Sequence, residues 1–279
     1  MVVNLVVALA GGANVAKPMN NDLTPTAWKL ILVGVAAGLV GGGLGIGGGI
    51  ILVPLLLAIG FDRHRSHATS LAAIVLIAAA GAWSWGAEGQ IDVVLGVVIG
   101  LGGVVGSVLG ASLMHRMSSR ALSVVFGVVL LIAAIRMITG PNPLPGVSDL
   151  SNVSEVLIAI GIGLFAGFFA GVAGVGGGVI IVPASVIFLG LPQHEAQGTS
   201  LLAIVLTASA ATVVNLRNQR VRLKDGLVVG IGGVAGSVVG SRLALRIDDR
   251  TLSLIFGFLV LFVAIRTLYR AGRASTQSA

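Results

Sequence analysis

Gly45, Gly47, Gly48 and Gly49 stand just before a short apolar run that contains Pro54. Gly174, Gly176, Gly177 and Gly178 stand before an equivalent run that contains Pro183. A Thr-Ser pair follows each run, Thr69-Ser70 and then Thr199-Ser200. Glycines let a backbone turn freely and approach a ligand closely. A short helix beginning at Gly49 or Gly178 presents free N–H groups at its positive end, which suits an anion. The hydroxyls either cap the next helix or add donors to an oxyanion. Together these residue types can hold a small anion with neutral donors alone. His67, Gln197 and Asn215 are secondary candidates. His67 aligns with Gln197, and the three histidines near the short runs, His64, His67 and His194, read as solvated loop residues. Asn215 reads as a helix–helix hydrogen bond or a substrate contact. No His, Asp or Glu cluster occupies the apolar segments, so neither a metal site nor an enzyme's catalytic group is expected there.

The elements that must position these residues are set by the solvent. Of 279 residues, 56% are hydrophobic and 10% charged, whereas a soluble domain carries about 25% charged residues. Such a chain belongs in a bilayer as a polytopic, all-α protein, because backbone polar groups in lipid must bond within their own segment. The formal charge of +7 fits Lys and Arg on cytoplasmic loops. No basic-aromatic surface accompanies it, so nucleic acid is not an expected partner. There are no cysteines, which excludes disulfides and thiolate sites.

The chain repeats itself. Gly45, Gly47 and Pro54 match Gly174, Gly176 and Pro183, and Thr69-Ser70-Leu71 matches Thr199-Ser200-Leu201. Gly106-Ser107 and Gly110 match Gly236-Ser237 and Gly240, and "RALSVVFG" from Arg120 matches "RTLSLIFG" from Arg250. The resulting division is a leader over 1–25, a first repeat over 26–140, a linker over 141–155, a second repeat over 156–270 and a tail over 271–279. Each repeat holds five apolar segments, near 27–43, 50–60, 68–86, 91–113 and 121–139, then near 156–173, 179–191, 200–216, 226–245 and 251–268. Gly102, Gly106 and Gly110, with Gly232, Gly236 and Gly240, line single helix faces and predict close helix packing. Trp83 and Trp85 read as interface anchors.

Five segments per repeat is an odd number, so the second repeat should sit inverted. Loop charge agrees. With both termini cytoplasmic, every one of the 17 Lys and Arg residues except Arg136, Arg242, Arg246 and Arg250 lies on the inner side. Arg246 and Arg250 are repeat mates of Arg116 and Arg120, which gives a reason for their presence outside. The runs at 50–60 and 179–191 are too short to span about 30 Å, which takes about 20 helical residues. They predict broken or re-entrant helices meeting at the glycines. Paired breaks in inverted repeats are the sequence pointer to a transporter's binding site.

The stretches "GLGIGGGIILVPLLL" and "GVAGVGGGVIIVPAS", followed by "ATSLAAIV" and "GTSLLAIV", resemble the sulfite exporter TauE/SafE family, permeases of the four-toluene-sulfonate-uptake type. The resemblance covers nearly the whole chain after its first 25 residues. It implies a prokaryotic inner-membrane permease for small sulfur-containing anions such as sulfite, sulfoacetate or other sulfonates. It implies no cofactor, and the partners it implies are the anion and the lipid bilayer. An anion channel, or a permease for a different small organic anion, is the alternative reading. The sequence leaves open the direction of transport, the coupling ion and homo-oligomerisation.

Overall fold

A computed structural model describes residues 27–113, 119–140, 152–173, 176–217 and 223–273. Those residues form ten helices and no strands. They are α1 (Ala27–Gly43), α2 (Gly49–Ala58), α3 (Arg63–Ala87), α4 (Val93–Leu113), α5 (Ser119–Thr139), α6 (Val153–Ala173), α7 (Gly178–Phe188), α8 (Gln193–Arg217), α9 (Leu223–Ala244) and α10 (Asp249–Arg273). Seven of them are long and apolar enough to cross a membrane. The 1–25 leader and residues 141–151 of the 141–155 linker lie outside the described residues.

Aspartates start three helices. Asp62 accepts from Arg65 N at 2.9 Å, Asp92 from Leu95 N at 2.9 Å and Asp248 from Thr251 N at 2.9 Å. Each satisfies one of the donors that a helix start leaves free. The Thr251 hydrogen bonds hold the Asp248 carboxyl below the ordinary aspartate range. Asp62 moves the start of α3 five residues ahead of the expected 68, and α8 begins seven residues ahead of the expected 200. The polar stretches "RHRSHA" and "QHEAQG" are therefore first helical turns, not loops.

Glycine sets which helices touch. A Cβ on Gly34, Gly38 or Gly42 of α1 would meet Val229 O, Gly233 O or Ser237 Oγ of α9 at 2.0, 2.1 or 2.2 Å. From the other side, a Cβ on Gly232, Gly236 or Gly240 would meet Ile31 O, Val35 O or Leu39 O at 2.4, 2.2 or 2.0 Å. The two backbones pack in parallel with no room for a side chain. The same zipper joins α4 to α6: Gly102, Gly106 and Gly110 face Ile160 O, Leu164 O and Phe168 O, while Gly163, Gly167 and Gly171 face Ile99 O, Gly103 O and Ser107 O. In lipid, where apolar surface gains little from burial between helices, such close contact is the main attraction available.

These contacts fix directions. α3 runs parallel to α9, since Gly226, Gly230 and Gly233 lie against Ala72, Leu76 and Ile77. α8 runs parallel to α4, since Gly96, Gly100 and Gly103 lie against Leu202, Leu206 and Thr207. α1, α3 and α9 thus point one way, and α4, α6 and α8 point the other. The repeat mates α3 and α8 run in opposite senses. Ala27 and Arg273 lie at one end, called here the near end. The α3–α4 and α9–α10 turns lie at the far end.

Two side chains depart from the expected surface roles. Trp83 is exposed, but Trp85 is fully buried and donates its indole N–H to Gly42 O at 2.9 Å. Arg250 is not merely a relic of the repeat. Its guanidinium donates to Ile138 O at 2.8 Å, Gly140 O at 3.1 Å and Met137 O at 3.3 Å, closing the carbonyl end of α5. Arg250→Met keeps the aliphatic stem and removes all three donors. It is expected to lower unfolding stability by about 1–3 kcal/mol, read as a lower melting temperature of the purified protein.

Candidate binding site at the glycine crossing

Both glycine breaks turn the chain back. Gly45, Gly47 and Gly48 have φ of 70°, 68° and 83°, and Gly176 and Gly177 both have φ of 84°. This left-handed region costs a side-chain-bearing residue about 1–2 kcal/mol. Ile46 N and Gly47 N both donate to Gly41 O, at 3.0 and 3.1 Å. That folds the loop onto α1, and a Cβ on Gly41 would sit 2.3 Å from Gly48 N. α2 then retraces its path. Gly47 lies against Ile74, eleven residues into α3, and the ten-residue α2 covers about 15 Å of return at 1.5 Å per residue. α7 does the same against α8, with Gly176 lying against Ile204. The short segments are half-length returning helices that start at the left-handed Gly48 and Gly177, with no side chain capping either start.

The two breaks meet. A Cβ on Gly178 would lie 2.7 Å from Gly45 O and from Ile46 Cα, and one on Gly45 would lie 2.7 Å from Gln197 Cα. Ser200 Oγ donates to Gly45 O, tying α8 to the first break. Gly45, Gly47, Gly48, Gly49, Gly176, Gly177, Gly178, Gln197 and Ser200 are all buried at this crossing. Gly174 lies outside the described residues.

The Thr-Ser pairs do not cap helices, because each sits six residues or more inside its helix. Their hydroxyls divide instead. Thr199 Oγ1 accepts from Asp92 N at 3.0 Å, and Ser200 serves Gly45. Thr69 is buried, and Ser70 Oγ is buried with no hydrogen-bond partner among the described residues. Gln197 is fully buried and neither its Nε2 nor its Oε1 has such a partner. Unmet polar atoms of this kind normally cost about 1–3 kcal/mol each, so a buried amide without an internal partner calls for an explanation. The sequence offered no signal of this except the alignment of Gln197 with His67.

Between Gly47 and Gly176 lie the ends of Ile74 and Ile204, which are repeat mates. A Cβ on Gly47 would meet the Cγ2 atoms of both at 3.1 Å, and one on Gly176 would meet both at 3.6 Å. Both isoleucines are fully buried. The crossing is closed here by an apolar pair.

The histidines are not loop residues. His67 belongs to α3 and is half-buried. His194 belongs to the first turn of α8, with Nδ1 at 2.6 Å from Asp249 Oδ1 and Nε2 at 3.3 Å from Ala244 O. Asn215 donates within its own helix, to Ala211 O at 2.8 Å, and takes no part in the crossing.

The family model for sulfite exporter TauE/SafE proteins matches the chain twice, over residues 30–159 and 158–279. A "Probable membrane transporter protein" of Xylella fastidiosa is 30% identical over 249 residues, covering 86% of this chain and 92% of its own. "Probable membrane transporter protein YunE" of Bacillus subtilis is 22% identical over 263 residues, covering 86% and 96%. An archaeal relative, "Probable membrane transporter protein MJ0441" of Methanocaldococcus jannaschii, is 26% identical over 261 residues, covering 85% and 94%.

Proposed function

The chain belongs to the sulfite exporter TauE/SafE family of membrane transporters, and from that premise we propose that it moves small sulfur oxyanions through the glycine crossing. The substrates are sulfite, sulfoacetate or other sulfonates. The observation that carries this reading is the meeting of two returning-helix starts, one from each half, beside the unpartnered Gln197 amide and Ser70 hydroxyl. A tetrahedral or pyramidal oxyanion takes hydrogen bonds from several directions. Helix-start N–H groups, a hydroxyl and a carboxamide supply them without a fixed cation. Weak neutral binding also lets the anion leave, as conduction requires.

The closed Ile74–Ile204 pair acts as the barrier between the two faces. Opening requires the pair to part, exposing Ser70 to one side and Gln197 to the other. The inverted arrangement places equivalent half-pathways on opposite faces, the geometry of alternating access. Both termini lie in the cytoplasm of a prokaryotic cell and the membrane is its inner membrane. The inside-negative potential expels an anion with about 2.3 kcal/mol per charge per 100 mV, which favours export.

The test is flux. Purified protein in liposomes is expected to release loaded sulfite or sulfoacetate faster than protein-free vesicles, with saturation and counterflow. No release of any of these anions overturns the substrate class. Release without saturation or counterflow makes the protein an anion channel.

A further inference from the structure

Ser185 and Gln193, with Gln197 of the crossing, form a line of buried polar side chains that leads from the glycine crossing toward the far end. Ser185 is in the last turn of α7, Gln193 in the first turn of α8, and Gln197 one turn further along α8. The intervening turn is tight: Leu189 N and Leu191 N both donate to Ser185 O, at 3.1 and 3.3 Å. The topology therefore puts Ser185 and Gln193 at one level of the α7–α8 hairpin, with Gln197 one turn nearer the crossing. Ser185 and Gln197 are fully buried and Gln193 is 2% exposed. Ser185 Oγ and both amide atoms of each glutamine lack any hydrogen-bond partner among the described residues. These five unmet polar atoms would each cost about 1–3 kcal/mol.

Neither packing nor the duplication requires them. The repeat mate of Ser185 is Leu56, which is also fully buried, so the fold accepts a plain apolar side chain there. The mates of Gln193 and Gln197 are Arg63 and His67. The carboxamides are thus a property of one half alone, in a protein whose other central features come in pairs.

We propose that Ser185 and Gln193, together with Gln197, which they share with the crossing, are a second binding station for the transported oxyanion, on the far side of the Ile74–Ile204 pair. The proposal rests on the reading of the crossing as an anion pathway. Two carboxamide NH2 groups and one hydroxyl offer five N–H and O–H donors to an anion's oxygens, with no cation to trap it. The pathway is chemically lopsided. An anion meets hydroxyls of Ser66 and Ser70 on the α3 side, both buried and unpartnered among the described residues, and carboxamides on the α8 side. Asp92, Glu195 and Asp249 share the far end, and their charge hastens departure from it.

The experiment compares wild type with Gln193→Leu, Gln193→Glu and Ser185→Ala in sulfite-loaded liposomes. Gln193→Leu and Ser185→Ala each remove one donor group and are expected to raise the KM for sulfite about tenfold. Gln193→Glu adds a repelling charge and is expected to raise it further. Gln193→Leu and Ser185→Ala should melt no lower than wild type, whereas Gln193→Glu, which buries an unpaired carboxylate, should melt lower. Unchanged KM in both Gln193→Leu and Ser185→Ala, with sulfite-transporting wild type alongside, overturns the station and leaves the transport reading intact. If wild type itself moves no sulfur anion, the transport reading fails, and the station is then judged by titrating sulfite into detergent-solubilised protein. Stabilisation of wild type that is lost in Gln193→Leu upholds it; the same response in both, or none in either, overturns it.

Discussion

Gly48→Ala is expected to cut sulfite flux by more than tenfold while the protein still reaches the membrane. Gly48 has φ +83°, and its Cβ would sit 2.7 Å from Ala37 O. That oxygen is backbone on a packed helix, so no rotamer change relieves the contact. The left-handed conformation adds about 1–2 kcal/mol and the overpacking about 1–3 kcal/mol. The strain falls on the turn that presents the first N–H groups of α2. Its mate separates the two terms. Gly177 has φ +84° but its Cβ would meet Ala166 O at 3.2 Å, so Gly177→Ala carries the conformational term and little of the clash. Flux and melting temperature should both fall less in Gly177→Ala than in Gly48→Ala. Equal, wild-type flux in the two variants would remove the glycine breaks from the transport path.

The second large effect lies in the zipper. Gly163→Val should leave almost no folded protein, since its Cβ would sit 2.1 Å from Ile99 O and 2.9 Å from Gly103 N. The helices would have to separate by more than an ångström, losing the close contact along the whole α4–α6 pair; a cost above about 4 kcal/mol is expected. Gly161→Ala is the control. It is two residues away on the same helix and has nothing within 4 Å of its Cβ, so replacing glycine with alanine should stabilise α6 by up to about 1 kcal/mol. Monodispersity after detergent extraction reads both. A monodisperse Gly163→Val would show that these helices do not depend on backbone contact.

Much of this architecture was legible because hydropathy and duplication are coarse, redundant signals. Five segments per half appear as five helices per half, and the two shortest runs are the two half-length helices. Helix starts were harder to read. Asp62 and Pro192 mark the true beginnings of α3 and α8, but the histidines and charges after them imitate a loop. Four-residue glycine spacing gave the face of α4 and of α9 without naming a partner, since the matching Gly34-Gly38-Gly42 series runs into the glycine break and loses its period there. Trp85 looked like Trp83 in sequence, and only the depth of α3 against Gly42 separates them. Gln193 and Ser185 were invisible for a different reason. A buried polar residue reveals itself by what it lacks, and sequence carries no record of missing partners.

The zipper also has a consequence in time. α1 finds its closest partner in α9, not in its own half, and roughly 180 residues separate them along the chain; at about 5–20 residues per second of synthesis, α1 waits on the order of 10–40 s for it. During that interval the glycine face of α1 is exposed in the membrane, open to any other helix with small residues. A chain interrupted after its first half therefore leaves a sticky fragment, and the natural mate for that fragment is a second half threaded the opposite way.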